Sequence, residues 1–395
     1  MERTRWSGVR AAAARAALAL ASTAAGLLAA ELVTRLTGGG VASANRAQFF
    51  DYDPEVGWRC RADLDLRFVE PGTCDVRVRC NSRGLRDREH ALAKPDRVRR
   101  IVVLGDSYAW GQGVENDQTF AAVLERALPG VETINLGVAA YTSVQELVLF
   151  EEEGVRYAPD WTVLLFCDND LDSNFDDKDG RRPFVASADG EELRIANRPV
   201  PPAKMQPLTE WLHHHSRLVL EFDWCFGILR EWRDEKRAAA RGHAASSETA
   251  HGEMGFSLLD RFLPPDARMD RAWRTLGTLY ARLRDDAAEH GSRLLVAYVP
   301  DPRLAIESTF HDLVDRAGVP RERADWNRPA KRLAEVCAGI GVPCLDLAPT
   351  FRAAPRPADL FLEGDPHWSA AGAELAARQV AAKLRELDAK FGEGR

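Results

Sequence analysis

The stretch Ile101-Val-Val-Leu-Gly-Asp-Ser107 joins four consecutive apolar residues directly to a glycine, an acid and a hydroxyl. A short, uninterrupted apolar run is typical of a parallel strand that is buried on both faces. Gly, Asp and Ser are ordinary turn and helix N-cap residues, but the carboxyl end of a parallel strand is also where open α/β folds place reactive groups. The stretch therefore predicts a buried strand whose end holds the Ser107 hydroxyl at the edge of a sheet.

The same apolar pattern recurs along the chain and alternates with helical periodicity. Strands are predicted at Ile101–Leu104, Val131–Leu136, Thr162–Phe166, Arg293–Val299 and Val342–Leu347. Helices are predicted at Gln118–Leu128, Ser143–Glu153, Met269–His290, Asn327–Gly339 and Ser369–Leu387. Asn116 and Asp117 are the predicted N-caps of the first helix, and Ser369 is that of the last. Five strands alternating with helices predict an open α/β sheet with right-handed crossovers.

Composition narrows the class of protein. The chain has 395 residues, of which 45% are hydrophobic and 29% charged, so it can bury a sizeable core and exceeds the usual size of one domain. The formal net charge is only −7, and the arginines are scattered along the sequence. We therefore expect no nucleic-acid partner.

The amino terminus predicts a membrane segment. Residues 1–15 are basic, with arginines at positions 3, 5, 10 and 15. The apolar run Ala16–Ala30 spans only ~22 Å as a helix, which is less than a ~30 Å hydrocarbon core. Extension to Leu36, with Glu31 and Arg35 directing their charges toward the interface, makes the helix long enough. Residues 16–36 are therefore predicted to be a transmembrane anchor or a signal segment.

Two other interpretations of this segment remain open. Ala42-Ser43-Ala44 matches the small-residue pattern of a signal-peptide cleavage site, although it lies far from the apolar run. A soluble, alanine-rich helix is the third interpretation. Because positive charge before an apolar run is what export and positive-inside topology require, we expect an uncleaved anchor. The remainder would then be periplasmic or extracellular, and it would be secreted if the segment were cleaved.

The cysteines and histidines predict neither a metal site nor a redox motif. None of the seven cysteines has C-x-x-C spacing. Cys74 with Cys80, or Cys337 with Cys344, could form a disulfide in an oxidising compartment. The run His213-His214-His215 does not predict a three-histidine site, because successive residues on a helix do not face one another. The sequence contains no P-loop or dinucleotide fingerprint, so no cofactor is predicted.

Two regions fall outside the alternation of strands and helices. Residues 45–99 are predicted to form a small β-rich lead-in, with a strand in "DVRVR". The main domain is predicted at 100–390 and contains a long insertion at about 171–265. An insertion of this length beside a site is either a lid that selects substrate or a surface excursion.

Four polar blocks lie at strand ends or before the last helix. They are Gly105-Asp106-Ser107, Asn135-Leu136-Gly137, Cys167-Asp168-Asn169-Asp170 and Asp365-Pro366-His367-Trp368. Because the carboxyl ends of parallel strands meet at one edge of an open sheet, we expect these blocks to converge.

With these blocks and the phrases "YDPEVGW" and "CNSRGLRD", the chain resembles the SGNH hydrolases, the GDSL esterase/lipase superfamily. The resemblance runs from about residue 53 to 387, omits most of the insertion, and is nearest to bacterial membrane-anchored members. It implies a three-layer α/β/α sandwich with a five-stranded parallel sheet, which is a flavodoxin-like arrangement. The chain departs from the family pattern at Cys167, at Ala139-Ala140 and in the two-residue spacing from Asp365 to His367.

The resemblance also implies roles for five residues. Ser107 would be the nucleophile, His367 the general base, and Asp365 the carboxylate that orients His367. The backbone N–H groups of Ser107 and Gly137 and the side-chain amide of Asn169 would form the oxyanion hole. A serine hydroxyl needs a base to accept its proton as it attacks, and the charge that develops on the carbonyl oxygen needs positioned donors.

Several neighbouring residues are weaker candidates. Trp110 and Trp368 lie beside the nucleophile and the base and could line a substrate pocket, although core packing explains them equally well. Asp301 follows the fourth strand and could bind polar groups of a substrate, but acids are common in such turns. Asp106 and Asp170 are expected to cap or brace their loops.

Taken together, these features predict an enzyme that cleaves an ester through an acyl-enzyme intermediate. The substrate would be a small-molecule or glycan ester. The narrower hypothesis is O-deacetylation or O-acetyl transfer on cell-surface glycan, because an anchor would hold the domain near such polymers. A lipase or thioesterase is one alternative, and a non-catalytic glycan-binding or scaffold protein on the same fold is another.

Overall fold

The computed structural model of the chain describes residues 2–36, 48–70, 72–175, 180–187, 193–203, 206–222, 225–226, 233 and 256–392. The chain divides into two compact units. The first unit combines Met1–Gln48 with Met205–Ala244, and the second combines Phe49–Lys204 with Ala245–Arg395. The candidate cleavage site Ala42-Ser43-Ala44 and much of the predicted insertion lie outside the described residues.

All strands within the described residues belong to the second unit. They are β1 (Phe50–Asp53), β2 (Gly57–Cys60), β3 (Asp65–Glu70), β4 (Cys74–Arg79), β5 (Arg99–Gly105), β6 (Val131–Asn135), β7 (Trp161–Phe166), β8 (Phe184–Ser187), β9 (Arg194–Ala196), β10 (Arg293–Tyr298) and β11 (Cys344–Asp346). The helices are α1 (Glu2–Leu36), α2 (Ser107–Trp110), α3 (Phe120–Ala127), α4 (Ser143–Glu152), α5 (Asp170–Ser173), α6 (Gln206–His215), α7 (Ala267–Glu289), α8 (Pro302–Ala305), α9 (Glu307–Arg316), α10 (Arg328–Gly339), α11 (Ala348–Arg352) and α12 (Ala370–Gly392). Single 3₁₀ turns lie at Asn116–Gln118, Gly154–Tyr157, Asp260–Phe262, Arg321–Arg323 and Pro357–Leu360.

Five parallel strands form the central sheet in the order β11-β10-β7-β5-β6. The first strand of this sheet along the chain, β5, lies between the second and the third. The strand order therefore reverses beside β5, and the carboxyl ends of the strands leave a crevice at such a point. The arrangement confirms the predicted flavodoxin-like α/β fold and places Ser107 at the reversal.

The helices cover both faces of the sheet, as a three-layer sandwich requires. Val102 and Leu104 of β5 point into one hydrophobic core with α4, α7 and α10. Ile101 and Val103 point into the other core with α3 and α12. Because successive strand residues face opposite sides, the apolar run of β5 is buried on both faces.

Helix α3, which was predicted to begin at Gln118, begins at Phe120 instead. Asn116 and Asp117, the predicted caps, form a 3₁₀ turn, and Thr119 caps α3 by accepting a hydrogen bond from the N–H of Ala122 at 3.4 Å. Asn116 instead accepts a hydrogen bond from the N–H of Arg79 in β4 at 3.1 Å. The prediction was wrong because the side chain of Asn116 has a tertiary partner.

Helix α9 was not predicted, although its amphipathic pattern is readable. Phe310, Leu313 and Val314 lie at positions i, i+3 and i+4 and are its buried residues. The last strand is shorter than predicted, because only Cys344–Asp346 pairs with β10.

The lead-in consists of two antiparallel pairs, β1 with β2 and β3 with β4. The strand predicted in "DVRVR" is present within β4. A disulfide joins Cys60 to Cys80, whereas Cys74 is free, so the predicted Cys74–Cys80 pair is wrong. Those two cysteines lie at opposite ends of β4, roughly 20 Å apart at about 3.3 Å per residue, and a disulfide needs Cα atoms within about 7 Å.

The second predicted pair is not bonded either. Cys337 and Cys344 contact each other through their thiols but remain free.

Helix α1 belongs to the first unit and contains the candidate membrane span. Within it, Ala13–Leu36 has a mean hydropathy of 1.8 and is long and apolar enough to cross a bilayer. Two charged residues near the carboxyl end of the span, Glu31 and Arg35, form an ion pair at 2.6 Å. The structure thus contains an N-terminal apolar helix of the kind that serves as a signal anchor or a signal peptide.

Candidate active site

A sharp turn between β5 and α2 presents Ser107. Gly105 has φ of +149°, and a Cβ at that position would lie 2.8 Å from the Cβ of Ala109. Asp106 caps α2 by accepting a hydrogen bond from the N–H of Tyr108 at 3.0 Å, as expected for a bracing residue. Ser107 is therefore the first residue of a short helix at the carboxyl edge of the sheet, and 9% of its surface is exposed.

A tight loop before α12 carries His367 toward the same edge. An isolated antiparallel bridge pairs Phe361 with Trp368, and the N–H of Leu362 donates to the carbonyl of His367 at 2.9 Å. The hydroxyl of Tyr108 donates to the carbonyl of Pro366 at 2.9 Å, which ties this loop to α2.

The structure brings together three side chains that the sequence separates by up to 260 residues. His367 Nε2 lies 2.7 Å from Ser107 Oγ, and His367 Nδ1 lies 2.5 Å from Asp365 Oδ1. Asp365 Oδ1 also accepts a hydrogen bond from the backbone N–H of His367 at 2.8 Å. The two-residue spacing therefore lets one carboxylate oxygen contact both the backbone and the imidazole of His367.

This hydrogen-bonded chain has the polarity that proton transfer from a serine requires. When the carboxylate accepts a hydrogen bond from the Nδ1–H group, the lone pair of Nε2 is directed at the serine hydroxyl. Ser107 Oγ can then lose its proton to His367, and Asp365 can stabilise the imidazolium that forms. The arrangement can support nucleophilic attack by Ser107 on an acyl carbon.

Two of the three predicted oxyanion donors have hydrogen-bond partners of their own. The N–H of Gly137 donates to Asn135 Oδ1 at 2.9 Å. The amide of Asn169 makes a long contact of 3.4 Å with Asp106 Oδ2. The N–H of Ser107 is in the first turn of α2, where helical N–H groups have no intrahelical acceptor. A substrate oxyanion would therefore compete with Asn135 Oδ1 for the hydrogen bond from the Gly137 N–H group.

Gly137 lies closer to α2 than any side chain would allow. A Cβ at this position would lie 2.5 Å from the backbone carbon of Ala109 and 2.5 Å from the backbone nitrogen of Trp110. The second polar block therefore packs directly against the helix that begins with Ser107.

Arg86, in the "CNSRGLRD" phrase of the lead-in, holds the other end of α2. Its guanidinium is buried and donates to the carbonyls of Trp110 at 3.2 Å, Gly111 at 2.5 Å and Val114 at 2.5 Å. It also lies 4.6 Å from the centre of the Trp110 ring. Burial lowers the pKa of Arg86 to about 9, so it remains a cation at neutral pH, where it complements the negative carboxyl end of the helix.

The next residue, Asp87, holds the second polar block. Asp87 Oδ2 accepts a hydrogen bond from the N–H of Asn135 at 2.8 Å. The side-chain amide of Asn135 donates to the carbonyl of Arg86 at 3.3 Å, and its oxygen accepts from Gly137. The lead-in phrase contributes to the family resemblance, but the sequence indicates no role for Arg86 or Asp87, because their partners are backbone groups that no motif reveals.

The pocket candidates from the sequence are buried in the core. Trp110 packs against Phe49 and Phe50, with ring centres 6.3 and 5.7 Å away. Trp368 lies in the core formed by α3 and α12, and its indole N–H donates to the carbonyl of Pro300 at 3.0 Å. Each indole is 3% exposed. Their positions therefore agree with core packing, the second explanation given for these two residues, and not with lining a pocket.

Asp301 is also committed to structure. It caps α8 by accepting a hydrogen bond from the N–H of Arg303 at 2.7 Å, and its carboxylate pairs with the Arg303 guanidinium. Only 4% of Asp301 is exposed. Arg303, which sequence reasoning did not single out, lines the adjacent cavity instead.

That cavity has a volume of about 740 Å³ and lies beside Asp365. Leu258, Ile306 and Phe361 contribute apolar walls, and Arg303 contributes a charged group. Its size is within the range of small-molecule sites, which typically combine apolar walls with a few polar groups.

Buried acids lie behind the third polar block. Asp170 accepts a hydrogen bond from Ser143 Oγ at 2.8 Å, and so braces its loop as expected. Burial raises the pKa values of Asp170 and Glu146 well above their ordinary values. The carboxylate of Asp106 raises the pKa of Asp170 further, and the carboxylate of Asp170 raises that of Glu146 further. Neither carboxylate oxygen of Glu146 has a hydrogen-bond partner within the described residues. The surroundings of both acids therefore favour the protonated form over the carboxylate.

Cys167 does not offer a competing nucleophile. Burial and the neighbouring carboxylate of Asp106 raise the pKa of its thiol well above the ordinary value. Because the thiolate is the reactive form, this shift disfavours Cys167 as a nucleophile.

Comparisons with known proteins agree with this architecture. Residues 261–394 match a family model described as an SGNH hydrolase-like domain, acetyltransferase AlgX. This segment includes Asp365 and His367 but not Ser107. The match confirms the resemblance stated above, and no curated protein matches the chain.

Solved structures are similar over most of the chain. A lipase/acylhydrolase from Enterococcus faecalis has 15% identity and a TM-score of 0.38, with 73% of this chain and 96% of that chain covered. A catalytic mutant of an acetylxylan esterase from Geobacillus stearothermophilus has 13% identity and a TM-score of 0.36, with 75% and 96% covered. At these identities and TM-scores the likeness supports no conclusion about activity or substrate.

Proposed function

We propose that this chain, which has the fold of the SGNH hydrolases, is a membrane-anchored, extracytoplasmic serine esterase that acts through an acyl-enzyme on Ser107. The observation that supports this proposal is the hydrogen-bonded chain from Ser107 through His367 to Asp365, with distances of 2.7 and 2.5 Å. A serine esterase needs such a chain, whereas a binding module has no use for an activated hydroxyl.

In the first half-reaction, Ser107 Oγ attacks the carbonyl carbon of the ester while His367 Nε2 accepts the hydroxyl proton. A tetrahedral intermediate forms, and its oxyanion takes hydrogen bonds from the N–H of Ser107 and the amide of Asn169. Gly137 joins them when its N–H exchanges Asn135 for the oxyanion. The intermediate collapses as the C–O bond to the alcohol breaks, and His367 returns the proton to the departing alkoxide.

In the second half-reaction, the O–H group of an acceptor attacks the acyl carbon while His367 Nε2 accepts its proton. The bond between the acyl carbon and Ser107 Oγ then breaks, and His367 returns the proton to Ser107. Water as the acceptor gives hydrolysis, and a sugar hydroxyl gives acyl transfer. The family-model description names an acetyltransferase for residues 261–394, and this observation favours O-acetyl transfer as the second candidate function. We propose an O-acetylated cell-surface glycan as the substrate of either reaction, with the cavity beside Asp365 as its binding site.

The first experiment is labelling of the full chain in detergent micelles with a fluorophosphonate probe, followed by peptide mass spectrometry. We expect modification at Ser107 in the parent and loss of labelling, on the order of 10³-fold or more in rate, in His367→Ala. His290→Ala is the matched control, because His290 is exposed at the end of α7 and far from Ser107 in sequence. A folded chain that leaves Ser107 unmodified would favour the glycan-binding alternative.

A second experiment separates hydrolase from transferase. The chain would be given a p-nitrophenyl acetate donor, with and without a chito-oligosaccharide acceptor, and acetate and acetylated sugar would be quantified. Transfer to sugar supports the acetyltransferase, and acetate release alone supports the esterase. Faster turnover of long-chain than acetyl esters would instead favour a lipase or thioesterase.

A further inference from the structure

Large apolar side chains are exposed only in the first unit, within the part of the chain that the structure describes. One group lies on α1, in the candidate membrane span: Leu18, Leu20, Leu27, Leu28, Leu32, Val33 and Leu36. The other group lies on the insertion: Leu208, Trp211, Phe222 and Phe226. These four are 46%, 56%, 53% and 61% exposed. Clustered exposure of this kind marks an interaction surface, whereas single exposed apolar residues are ordinary.

The insertion is attached to the carboxyl end of the candidate span. The carboxylate of Glu31 accepts hydrogen bonds from Ser216 Oγ and from the N–H groups of Arg217 and Leu218, each at 2.9 Å. Arg35 donates to the carbonyl of His215 at 2.6 Å. Arg35 therefore binds the last residue of α6 and Glu31 binds the segment that follows it, in addition to bonding to each other.

This attachment sets the depth of the insertion relative to a bilayer. If α1 spans a membrane, Glu31 and Arg35 lie in its last two turns, at the level where hydrocarbon gives way to headgroups. A segment bonded to them lies at the same level. The exposed groups suit that position, because tryptophan is enriched at membrane interfaces and an apolar helix face can insert shallowly there.

The local pattern of α6 agrees with this position. Leu208 and Trp211 are three residues apart and lie on one face of the helix. The indole of Trp211 stacks on His215 with ring centres 4.9 Å apart, which holds the indole against the turn that meets Arg35. An indole with an apolar body and a polar N–H is suited to the headgroup layer.

We propose that residues 206–222 and 225–226 form an interfacial surface whose exposed apolar side chains lie in the headgroup layer of the bilayer that α1 spans. The proposal rests on the proposed membrane anchoring, and its partner is phospholipid rather than a protein or a glycan. It gives the insertion a role other than a lid over the active site.

The native chain offers a probe in the right place. Cys225 is exposed and precedes Phe226, whereas the other free cysteines are partly or fully buried. The full chain, labelled at Cys225 with an environment-sensitive nitrobenzoxadiazole dye, would be reconstituted in phosphatidylcholine vesicles. A Cys225→Ser, Glu322→Cys variant carries the same dye on an exposed turn of the second unit and is the control.

We expect dye at position 225 to emit at shorter wavelength than dye at position 322. It should also be quenched several-fold more by a lipid that carries a nitroxide near the top of its acyl chain. The Trp211→Gln, Phe222→Gln variant should lose most of this difference, because the neighbouring anchors to the interface are removed.

Alkaline carbonate extraction of the same vesicles tests the anchor separately. If the chain resists extraction while dye at 225 and at 322 is quenched equally, the interfacial proposal is overturned and the anchor stands. If carbonate releases the chain, the anchor fails and the interfacial proposal fails with it. Unchanged quenching in the double variant would also contradict the proposal.

Discussion

Gly137 shows at the scale of single residues why the second polar block requires its glycine. The position where a Cβ would stand lies 2.5 Å from the backbone of Ala109 and Trp110, which cannot move without moving Ser107. Sequence reasoning chose Gly137 as an oxyanion donor by family resemblance. The structure adds a steric reason that is independent of catalysis.

We expect Gly137→Ala to lower the rate of fluorophosphonate labelling by on the order of 10²-fold or more, because α2 and the Gly137 N–H must separate. The melting temperature should also fall. Gly339→Ala is the matched control, since no atom lies within 4 Å of the Cβ position in that helical glycine. Equal labelling rates in the two variants would contradict the close-packing argument.

Glu146 predicts a pH dependence of stability. Burial raises its pKa well above the ordinary value of 4.5. The ordinary pKa applies to the unfolded chain and the raised pKa to the folded chain. At pH values between the two, the folded chain keeps the proton that the unfolded chain has released, so the free energy of unfolding falls as pH rises. Glutamine cannot ionise and removes this loss.

Glu146→Gln should therefore melt close to the parent at pH values below about 4.5, where the acid is protonated in both states. Its advantage over the parent should grow as pH rises toward neutrality. Thermal melts across this range measure the difference, with the exposed Glu289→Gln as the control. A gain that is the same at every pH would show that the raised pKa of Glu146 is not its cause.

At the scale of elements, the lead-in is a structural part of the site. Its Arg86 holds the carboxyl end of α2, and Asp87 holds the strand end that leads to Gly137. The disulfide between Cys60 and Cys80 closes this lead-in on itself. Arg86 and Asp87 are positioning residues, because they act through backbone groups of the two polar blocks.

Arg86→Met should leave buried carbonyls without a donor, which costs about 1–3 kcal/mol per unsatisfied group. We expect kcat for an acetyl ester to fall more than KM changes, because α2 is displaced while the cavity walls remain. Arg86→Lys keeps the charge and should restore part of the rate. Arg77→Met, on the exposed face of β4, is the control, and kcat and KM well below the melting temperature are the measurement.

An outcome in which Arg86→Met lowers only the melting temperature would reduce Arg86 to a stabilising residue. A positioning role also requires that the lysine variant recover kcat rather than stability alone.

At the scale of the whole molecule, one unit carries the candidate site and the other carries the candidate span. We expect Leu27→Arg with Leu28→Arg to release the chain from membranes on carbonate extraction, since each arginine costs about 2.5–3.5 kcal/mol in the middle of a span. Leu27→Ala with Leu28→Ala should stay in the membrane fraction. Release of the parent chain would instead indicate a cleaved signal or a soluble helix.

The sequence by itself predicted the parallel sheet, the helices on both faces and the residues Ser107, Asp365 and His367. Apolar periodicity reports burial on one or two faces, and burial is what distinguishes the strands of an open sheet from its helices. Short polar blocks after those strands were expected to meet because parallel strands end at one edge. The strands and the meeting of the blocks follow from local pattern and from a general property of the fold, whereas the three-layer arrangement and the roles of the three residues were implied by the family resemblance.

Only the tertiary structure decided the partners of individual side chains. Several contacts depend on which surfaces meet in space. They are the Cys60–Cys80 bond, the Thr119 cap, the burial of Trp110 and Trp368, and the hydrogen bonds from Arg86 to the end of α2. A cysteine, an indole or a guanidinium can interact with several partners at similar energy. The number of residues between two side chains does not show which of these partners is chosen. Packing selects among those partners because one close-packed interior admits only one set of contacts.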